Sequence, residues 1–182
     1  MKCPSIVAVL LTAAIPARAS SASLPEIVVA HIADMDKTCK DVGGMPAPSM
    51  AFEGGPSEAR PANLVERGVL AGSAVEFWAL DEGRYQCDGA ASAFSGTGGA
   101  QVYVFVRLND GRVKQVLMQG AYGMKLKRIG SSSELLLRVA GGLCGQAGNP
   151  THAVAIACER PLIWDKATQK MDFAPFGKAR PL

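Results

Sequence analysis

The chain has 182 residues, of which 48% are hydrophobic and 19% charged, and it contains 20 Gly, 11 Pro, 5 Cys and 2 His. This balance fits one globular domain and excludes a multi-span membrane protein and a disordered chain. The formal net charge of +3 is too small to indicate a nucleic-acid-binding protein.

The N-terminus predicts a secretory signal peptide over residues 1–19. Lys2 precedes the apolar run Ser5–Ile15, and the small residues Ala17 and Ala19 follow it, with cleavage expected after Ala19. The apolar run is too short to cross a bilayer, which takes about 20 residues. Cys3 lies ahead of the run and is expected to leave with the signal. We therefore expect a periplasmic or secreted protein with no integral membrane segment after cleavage.

Four cysteines remain after cleavage, and an even number in an exported chain predicts two disulfides with three possible connectivities. The closeness of Cys144 and Cys158 in sequence favours that pair, which leaves Cys39 to pair with Cys87. A zinc site is the less favoured alternative, because the chain has no Cys-x-x-Cys pair and neither histidine has metal-ligand spacing to a cysteine. We expect no metal and no cofactor.

A helix is predicted at the start of the mature chain, over residues 20–41. Apolar residues recur there at spacings of three and four, Pro25 suits a first helical turn, and Gly43 follows the last turn. A Gly- and Pro-rich connection over residues 42–63 leads to a β body over residues 64–182. The helix is too short to be a domain alone, so we expect one domain that includes it.

The body is predicted to consist of strands joined by short polar turns. Asn109-Asp-Gly111 is the strongest hairpin signal in the chain. Short connections imply antiparallel pairing, so the predicted fold class is α+β, mainly β, with an antiparallel meander sheet, the helix packed on it, and disulfides as staples. The predicted strand pairs are 75–80 with 84–87, 101–108 with 112–118, 124–129 with 135–140, and 161–164 with 171–173.

Several motifs resemble a group of small exported bacterial proteins of unassigned function. These are the Cys-bearing helix, the segment Trp78–Phe94 with its Tyr-Gln-Cys-Asp-Gly stretch, the glycine run Ser95–Gly99, Cys144-Gly145, and the Cys-x5-Trp segment Cys158–Trp164. The resemblance implies an exported compartment, disulfides and a shared general fold, and it supplies no activity. Related proteins often carry a further disulfide in the glycine loop and a calcium-like Asp-Asn-Gly-Asp-Gly loop. This chain has no cysteine in its glycine loop, so the further disulfide is missing. Its stretch Leu70–Val75, which matches the calcium-like loop, has no carboxylate.

No set of catalytic residues is recognisable, and we predict a protein that is not an enzyme. The serine-hydrolase motif Gly-x-Ser-x-Gly is not met at Ser95, and His31 lies on the apolar stripe of the predicted helix. A carboxylate-based glycan hydrolase is the second alternative function, and it would require Asp81, Glu82 or Asp88 to share a cleft with another carboxylate.

Cations concentrate between Arg107 and Gly130, and they carry the main binding hypothesis. Arg112 with Lys114, and Lys125 with Lys127, are spaced so that each pair projects from one face of its strand. If the two hairpins are neighbours, the four cations form a patch for an anionic envelope component or envelope protein. A solvated outer face is the simpler interpretation of the same charges.

The first alternative function is inhibition of a cell-wall hydrolase. It would require the Ser95–Gly99 loop to protrude, and the Ser-Gly pair ahead of Tyr103 is similar to the inhibitory loop of periplasmic lysozyme inhibitors. A nucleic acid is not an expected partner, because the exported compartment is wrong for one and Tyr103 and Phe105 fall on a different strand from the lysines.

Overall fold

A computed structural model describes residues 24–46, 64–148, 150–151 and 153–182. The predicted signal peptide, most of the Gly- and Pro-rich connection and His152 lie outside these residues. Within the described ranges, no helix is both long enough and apolar enough to cross a membrane.

The predicted N-terminal helix is present as α1, Glu26–Asp41. It begins after Pro25 and is followed by Gly43, whose φ of 81° suits glycine. Its buried residues recur every three or four positions and form one stripe, as the sequence periodicity predicts. They are Val28, Ile32, Met35 and Cys39.

Eleven strands are formed by the described residues, and most of them belong to two antiparallel sheets. In chain order they are β1 (Met45–Pro46), β2 (Val65–Val69), β3 (Glu76–Asp81), β4 (Cys87–Asp88), β5 (Ala100–Arg107), β6 (Val113–Ala121), β7 (Met124–Ile129), β8 (Ser132–Ala140), β9 (Ala157–Asp165), β10 (Lys170–Phe173) and β11 (Arg180–Pro181). The first sheet has the order β2-β3-β5-β6, and the second has the order β10-β9-β8-β7 with β11 also paired to β9. The short strands β1 and β4 pair with each other.

The described residues form three layers, because the first sheet is buried on both faces. One face packs against the second sheet, through residues such as Phe77 and Val104 of the first sheet and Leu135 of the second. The other face packs under α1, where Trp78 and Phe105 meet the apolar stripe of the helix. The α+β, mainly β class with a packed N-terminal helix is confirmed.

Two disulfides are formed, with the pairing that the sequence favours. Cys39–Cys87 links the end of α1 to β4, and Cys144–Cys158 closes a segment between β8 and β9. The first bond holds the helix layer on the sheets, and the second holds a loop against the second sheet.

One predicted hairpin is wrong, and the strands β1, β2 and β11 were not predicted. The segment Glu82–Arg84 forms a short 3-10 helix in which Gly83 N–H donates to the Asp81 side chain, so the chain does not fold back along β3. Instead Cys87 pairs with Pro46, close to its disulfide partner at the end of α1. The partners of β3 are β5 and the unpredicted strand β2.

The strands other than β1 and β4 form two sheets rather than the single predicted meander. The reason is that the chain passes from the first sheet to the second between β6 and β7. Tyr122 N–H donates to Arg138 O at 2.7 Å, and Arg138 N–H donates to Gly123 O at 2.9 Å. Gly123 has a φ of 134°, which a residue with a side chain adopts only at a high cost. The turn therefore leads the chain out of the first sheet and into the second.

Candidate functional site: a groove at the hairpin end of the two sheets

The four cations predicted to form one patch lie on two different sheets. Lys114 is on β6 of the first sheet and Arg112 directly precedes that strand, whereas Lys125 and Lys127 are on β7 of the second sheet. The spacing of two residues predicts a shared face within one strand, but it carries no information on which sheet the strand joins. The predicted four-cation sheet face is therefore not assembled.

Carboxylates lie close to three of these four cations and offset much of their positive charge. Arg112 pairs with Asp110 at 2.7 Å, and its side-chain hydrogen bond is the main cause that lowers the pKa of that carboxyl group. Lys125 lies 3.4 Å from Glu159, and Lys127 is opposite Glu134 in the β7–β8 ladder. On the second sheet these lysines thus lie beside carboxylates, and Glu134 also pairs with Arg180 at 2.7 Å.

A groove of about 390 Å³ lies where three turns meet at one end of the two sheets. The turns are those that join β2 to β3, β5 to β6 and β9 to β10. We call this the hairpin-end groove. Its polar and aromatic side chains are Ser73, Glu76, Arg107, Asn109, Trp164, Lys166 and Gln169. Its volume lies within the range of about 300 to 1,000 Å³ that is usual for ligand sites.

The groove has hydrogen-bonding groups that the fold does not use. Within the described part of the chain, the side-chain amides of Asn109 and Gln169 have no hydrogen-bond partner, and Lys166 has no ion-pair partner. Trp164 is half-buried and contributes an aromatic surface to the lining. A few polar groups beside an aromatic surface are typical of a small-molecule site.

Three cations outside the lining are close to it along the chain, and two of them belong to the predicted set, although Arg112 is already paired with Asp110. Arg112 accepts a backbone hydrogen bond from the lining residue Leu108 at 2.8 Å, and Lys114 follows two residues later. Lys170 directly follows Gln169. Nearby Asp165 accepts from Thr168 Oγ1 at 2.6 Å, and this hydrogen bond is the main cause that lowers its pKa.

Arg107 is held in place by a network that includes Glu76. Its Nε donates to Glu76 Oε2 at 2.8 Å, while Arg67 Nε donates to Oε1 of the same carboxylate at 2.9 Å. Both guanidinium groups lie over the buried Trp78 ring, at 5.1 Å for Arg107 and 5.7 Å for Arg67. Burial is the largest single influence on Glu76 and raises its pKa, but the two arginines together outweigh it and lower the pKa below 4.5. The carboxylate is therefore ionised and neutralised by its own neighbours.

The glycine loop forms an exposed, tightly closed turn. Gly96 and Gly99 exchange two backbone hydrogen bonds of 3.0 and 2.9 Å, and the residues from Ser95 to Gly98 are exposed. Gly99 anchors the turn, because a Cβ atom there would lie 2.2 Å from Ala121 O and its φ is 90°. The turn is therefore exposed at its tip and fixed at its base by Gly99.

A second cavity of about 350 Å³ lies beside this turn and contains the buried carboxylate of Asp81. Burial is the main cause that raises the pKa of Asp81, against a 3.0 Å hydrogen bond from Gly83 N–H and the charge of Arg84 at 3.3 Å. Among the described residues that line this cavity, Asp81 is the only acid. The cavity thus does not contain the two carboxylates that a glycan hydrolase would use.

Glu82 instead contacts His31, a partner that sequence reasoning missed. The Glu82 Oε1 to His31 Nε2 distance is 3.8 Å, and the His31 and Tyr103 ring centroids lie 4.0 Å apart. Burial, followed by the charge and hydrogen bond of Glu82, raises the pKa of Tyr103 to about 12. These groups come from a helix, a turn and a strand, so no local spacing could have joined them. Their contacts fix α1 on the first sheet.

The fold and its groove define an α+β, mainly β protein with antiparallel sheets, one packed helix and two disulfides. The chain matches no protein-family model, no curated protein and no solved structure. The resemblance to small exported bacterial proteins therefore stays a prediction.

Proposed function

We propose that the protein is a non-enzymatic binding module of the periplasm or the extracellular space, and that it binds an anionic envelope component through the hairpin-end groove. The observation that carries this proposal is the groove itself, with Arg107 and Lys166 in its lining and unused amide groups beside them. Lys170 directly follows the lining residue Gln169 and adds a second lysine at this end of the sheets.

The two disulfides support an oxidising compartment, where such bonds form and persist. The sequence supports the same location through its predicted signal peptide. Export would place the groove among the phosphates and acidic glycans of the envelope, which are the anionic groups available there.

Charge reversal at the groove, with a matched reversal elsewhere, tests this proposal. The groove variant carries Lys166→Glu and Lys170→Glu, and the control carries Lys125→Glu and Lys127→Glu on the second sheet. Both variants change the net charge equally, so a difference between them reports position rather than total charge. The measurement is co-sedimentation of each protein with purified bacterial envelope fragments at low and physiological salt.

We expect the groove variant to bind at least about tenfold more weakly, which corresponds to about 1.4 kcal/mol, while the control binds as the wild type does. An equal loss in both variants would show attraction by total charge and would contradict the groove. A loss of binding in the control variant alone would show that the binding site lies on the second sheet and would contradict the groove. Absence of binding by the wild-type protein would overturn the proposal.

A second candidate function, inhibition of a cell-wall hydrolase, is favoured by the exposed Ser95–Gly99 turn. An inhibitor that inserts this turn into an enzyme cleft would lose activity when Thr97 at its tip is changed to Trp. The test is the rate of cell-wall lysis by a lysozyme with equimolar wild-type or Thr97→Trp protein. No slowing by the wild-type protein would reject inhibition of that enzyme.

A further inference from the structure

We infer that the ligand of the hairpin-end groove is a carboxylated saccharide, that is, a sugar unit that carries a uronate or a similar carboxylate. This inference rests on the proposed function, because it names the chemistry of the anion bound there. It follows from three features of the lining: an aromatic surface, neutral amides and a fixed guanidinium group.

Trp164 provides the aromatic surface. It lies on β9 at the edge of the core between the sheets, and its side chain is half-buried, so one part of the indole packs inward while another part lines the groove. A flat aromatic surface suits the apolar C–H face of a sugar ring, and aromatic side chains offer this area at little entropic cost. A bare phosphate gains little from such a surface.

Asn109 and Gln169 provide neutral hydrogen-bonding groups on opposite turns. Each amide has two donor sites and an acceptor, which is the combination that sugar hydroxyl groups pair with. Both amides have no hydrogen-bond partner within the described residues, so they are available to a ligand at no cost in internal bonds. Gln169 has a φ of 51°, and the turn therefore holds its backbone in a conformation that most residues avoid.

Arg107 and Lys166 provide the charge for a carboxylate. Arg107 uses Nε for Glu76 and Nη1 for Gly111 O at 3.3 Å, which orients the guanidinium group and leaves Nη2 as the donor for a ligand. Lys166 is exposed on the neighbouring turn and can follow the ligand. A pre-oriented arginine with a mobile lysine suits a carboxylate carried on a sugar ring.

The volume of the groove sets the size of the ligand. At about 390 Å³, the cavity lies near the lower end of the range for ligand sites, so it accommodates one or two sugar rings rather than a folded polymer. The exposed position of Asn109 and Gln169 leaves the groove open, which allows the ligand to be a terminal or internal unit of a longer glycan.

The test is a calorimetric titration of the full oxidised protein with three probes. Digalacturonate carries the sugar rings and carboxylates, a neutral galactose disaccharide carries the rings alone, and inorganic phosphate carries the charge alone. We expect digalacturonate to bind at least tenfold more tightly than either of the other probes. Equal binding of digalacturonate and phosphate would show a simple anion site and would overturn the inference, as would equal binding of the neutral disaccharide.

Variants of the lining complete the test. Trp164→Leu removes the aromatic surface, and Ile163→Ala, which changes an exposed neighbour on β9, is its control. Gln169→Gly removes one amide and keeps the turn, because glycine readily adopts the positive φ at this position. We expect digalacturonate affinity to fall at least tenfold with Trp164→Leu and several-fold with Gln169→Gly, and to stay unchanged with Ile163→Ala.

The outcomes separate this inference from the proposed function. If envelope binding depends on Lys166 and Lys170 but digalacturonate does not bind, or binds the Gln169→Gly variant as well as the wild type, the saccharide inference is wrong and the anion-binding proposal stands. If the groove variant binds envelope fragments as the wild type does, the proposed function fails and the inference fails with it.

Discussion

Arg107 donates through Nε to Glu76 at 2.8 Å, and this contact places a fixed positive group at the edge of the hairpin-end groove. Glu76 also accepts from Arg67, so one carboxylate holds two guanidinium groups over the ring of Trp78. The buried face of the first sheet and the groove are therefore joined by one charged network. A change in Glu76 should affect both stability and binding.

Glu76→Gln should destabilise the protein at neutral pH but not in acid. The arginines lower the pKa of Glu76 in the folded state below its ordinary value of 4.5, so its contribution is present above pH 4.5 and is lost as the pH falls through the lowered value. Because the arginines are partly exposed, we expect a loss of only about 1 kcal/mol at pH 7 and almost none near pH 2. Urea unfolding of the wild type and the variant at both pH values measures the difference in their free energies of unfolding. A difference that does not change with pH would contradict the prediction.

Gly99→Ala should be strongly destabilising, whereas Gly96→Ala should be tolerated. An added Cβ at Gly99 would clash with Ala121 O and would sit on a backbone with positive φ, while the same atom at Gly96 meets nothing within 4 Å. We expect a loss of about 2 to 4 kcal/mol for Gly99→Ala and less than about 0.5 kcal/mol for Gly96→Ala. Thermal unfolding of the two variants measures their midpoint temperatures. Similar midpoints for Gly99→Ala and Gly96→Ala would show that Gly99 does not anchor the turn.

Removal of the Cys39–Cys87 disulfide should cost more stability than removal of Cys144–Cys158. The bonds span 48 and 14 residues, and the chain-entropy model then gives losses of about 4 and about 3 kcal/mol. The first loss also frees the end of α1 from β4. Urea unfolding of the two Cys-to-Ala double variants measures the order, and a larger loss for the Cys144–Cys158 variant would oppose this account.

Ala74→Gly should stabilise the turn between β2 and β3. Ala74 has a φ of 56°, a conformation that costs a residue with a Cβ atom about 1 to 2 kcal/mol more than glycine. We expect a gain of about 0.5 to 1 kcal/mol, since glycine also increases the entropy of the unfolded chain. Chemical denaturation measures the change in the free energy of unfolding. A clear loss of stability would contradict the prediction and would mean that packing of the alanine methyl group stabilises the fold.

Local signals in the sequence predicted the elements that depend on neighbouring residues. The apolar spacing of α1, the Asn109-Asp-Gly111 turn between β5 and β6, and the even number of cysteines each indicate a structure that is present. In each case the physical cause lies within one helix, one turn or one kind of side chain. The α+β class followed from these signals.

The groove could not be predicted, because it depends on how the sheets stack. Ser73, Asn109 and Gln169 lie on three turns that are far apart in the sequence, and only the packing of the two sheets brings them together. The same limit explains the division of Lys114 and Lys125 between sheets. Strand periodicity describes one strand, whereas the turn at Gly123 decides which sheet the next strand joins.

Nuclear magnetic resonance of the ¹⁵N-labelled oxidised protein tests the central claim most directly. Soluble anionic fragments released from the bacterial envelope are titrated in, and the chemical shifts of the backbone amides and the indole N–H groups are followed. We predict that the largest changes occur at Ser73, Asn109, Lys166 and the Trp164 indole. Changes centred on Lys125 and Lys127, or no changes at saturating fragment concentration, would contradict it.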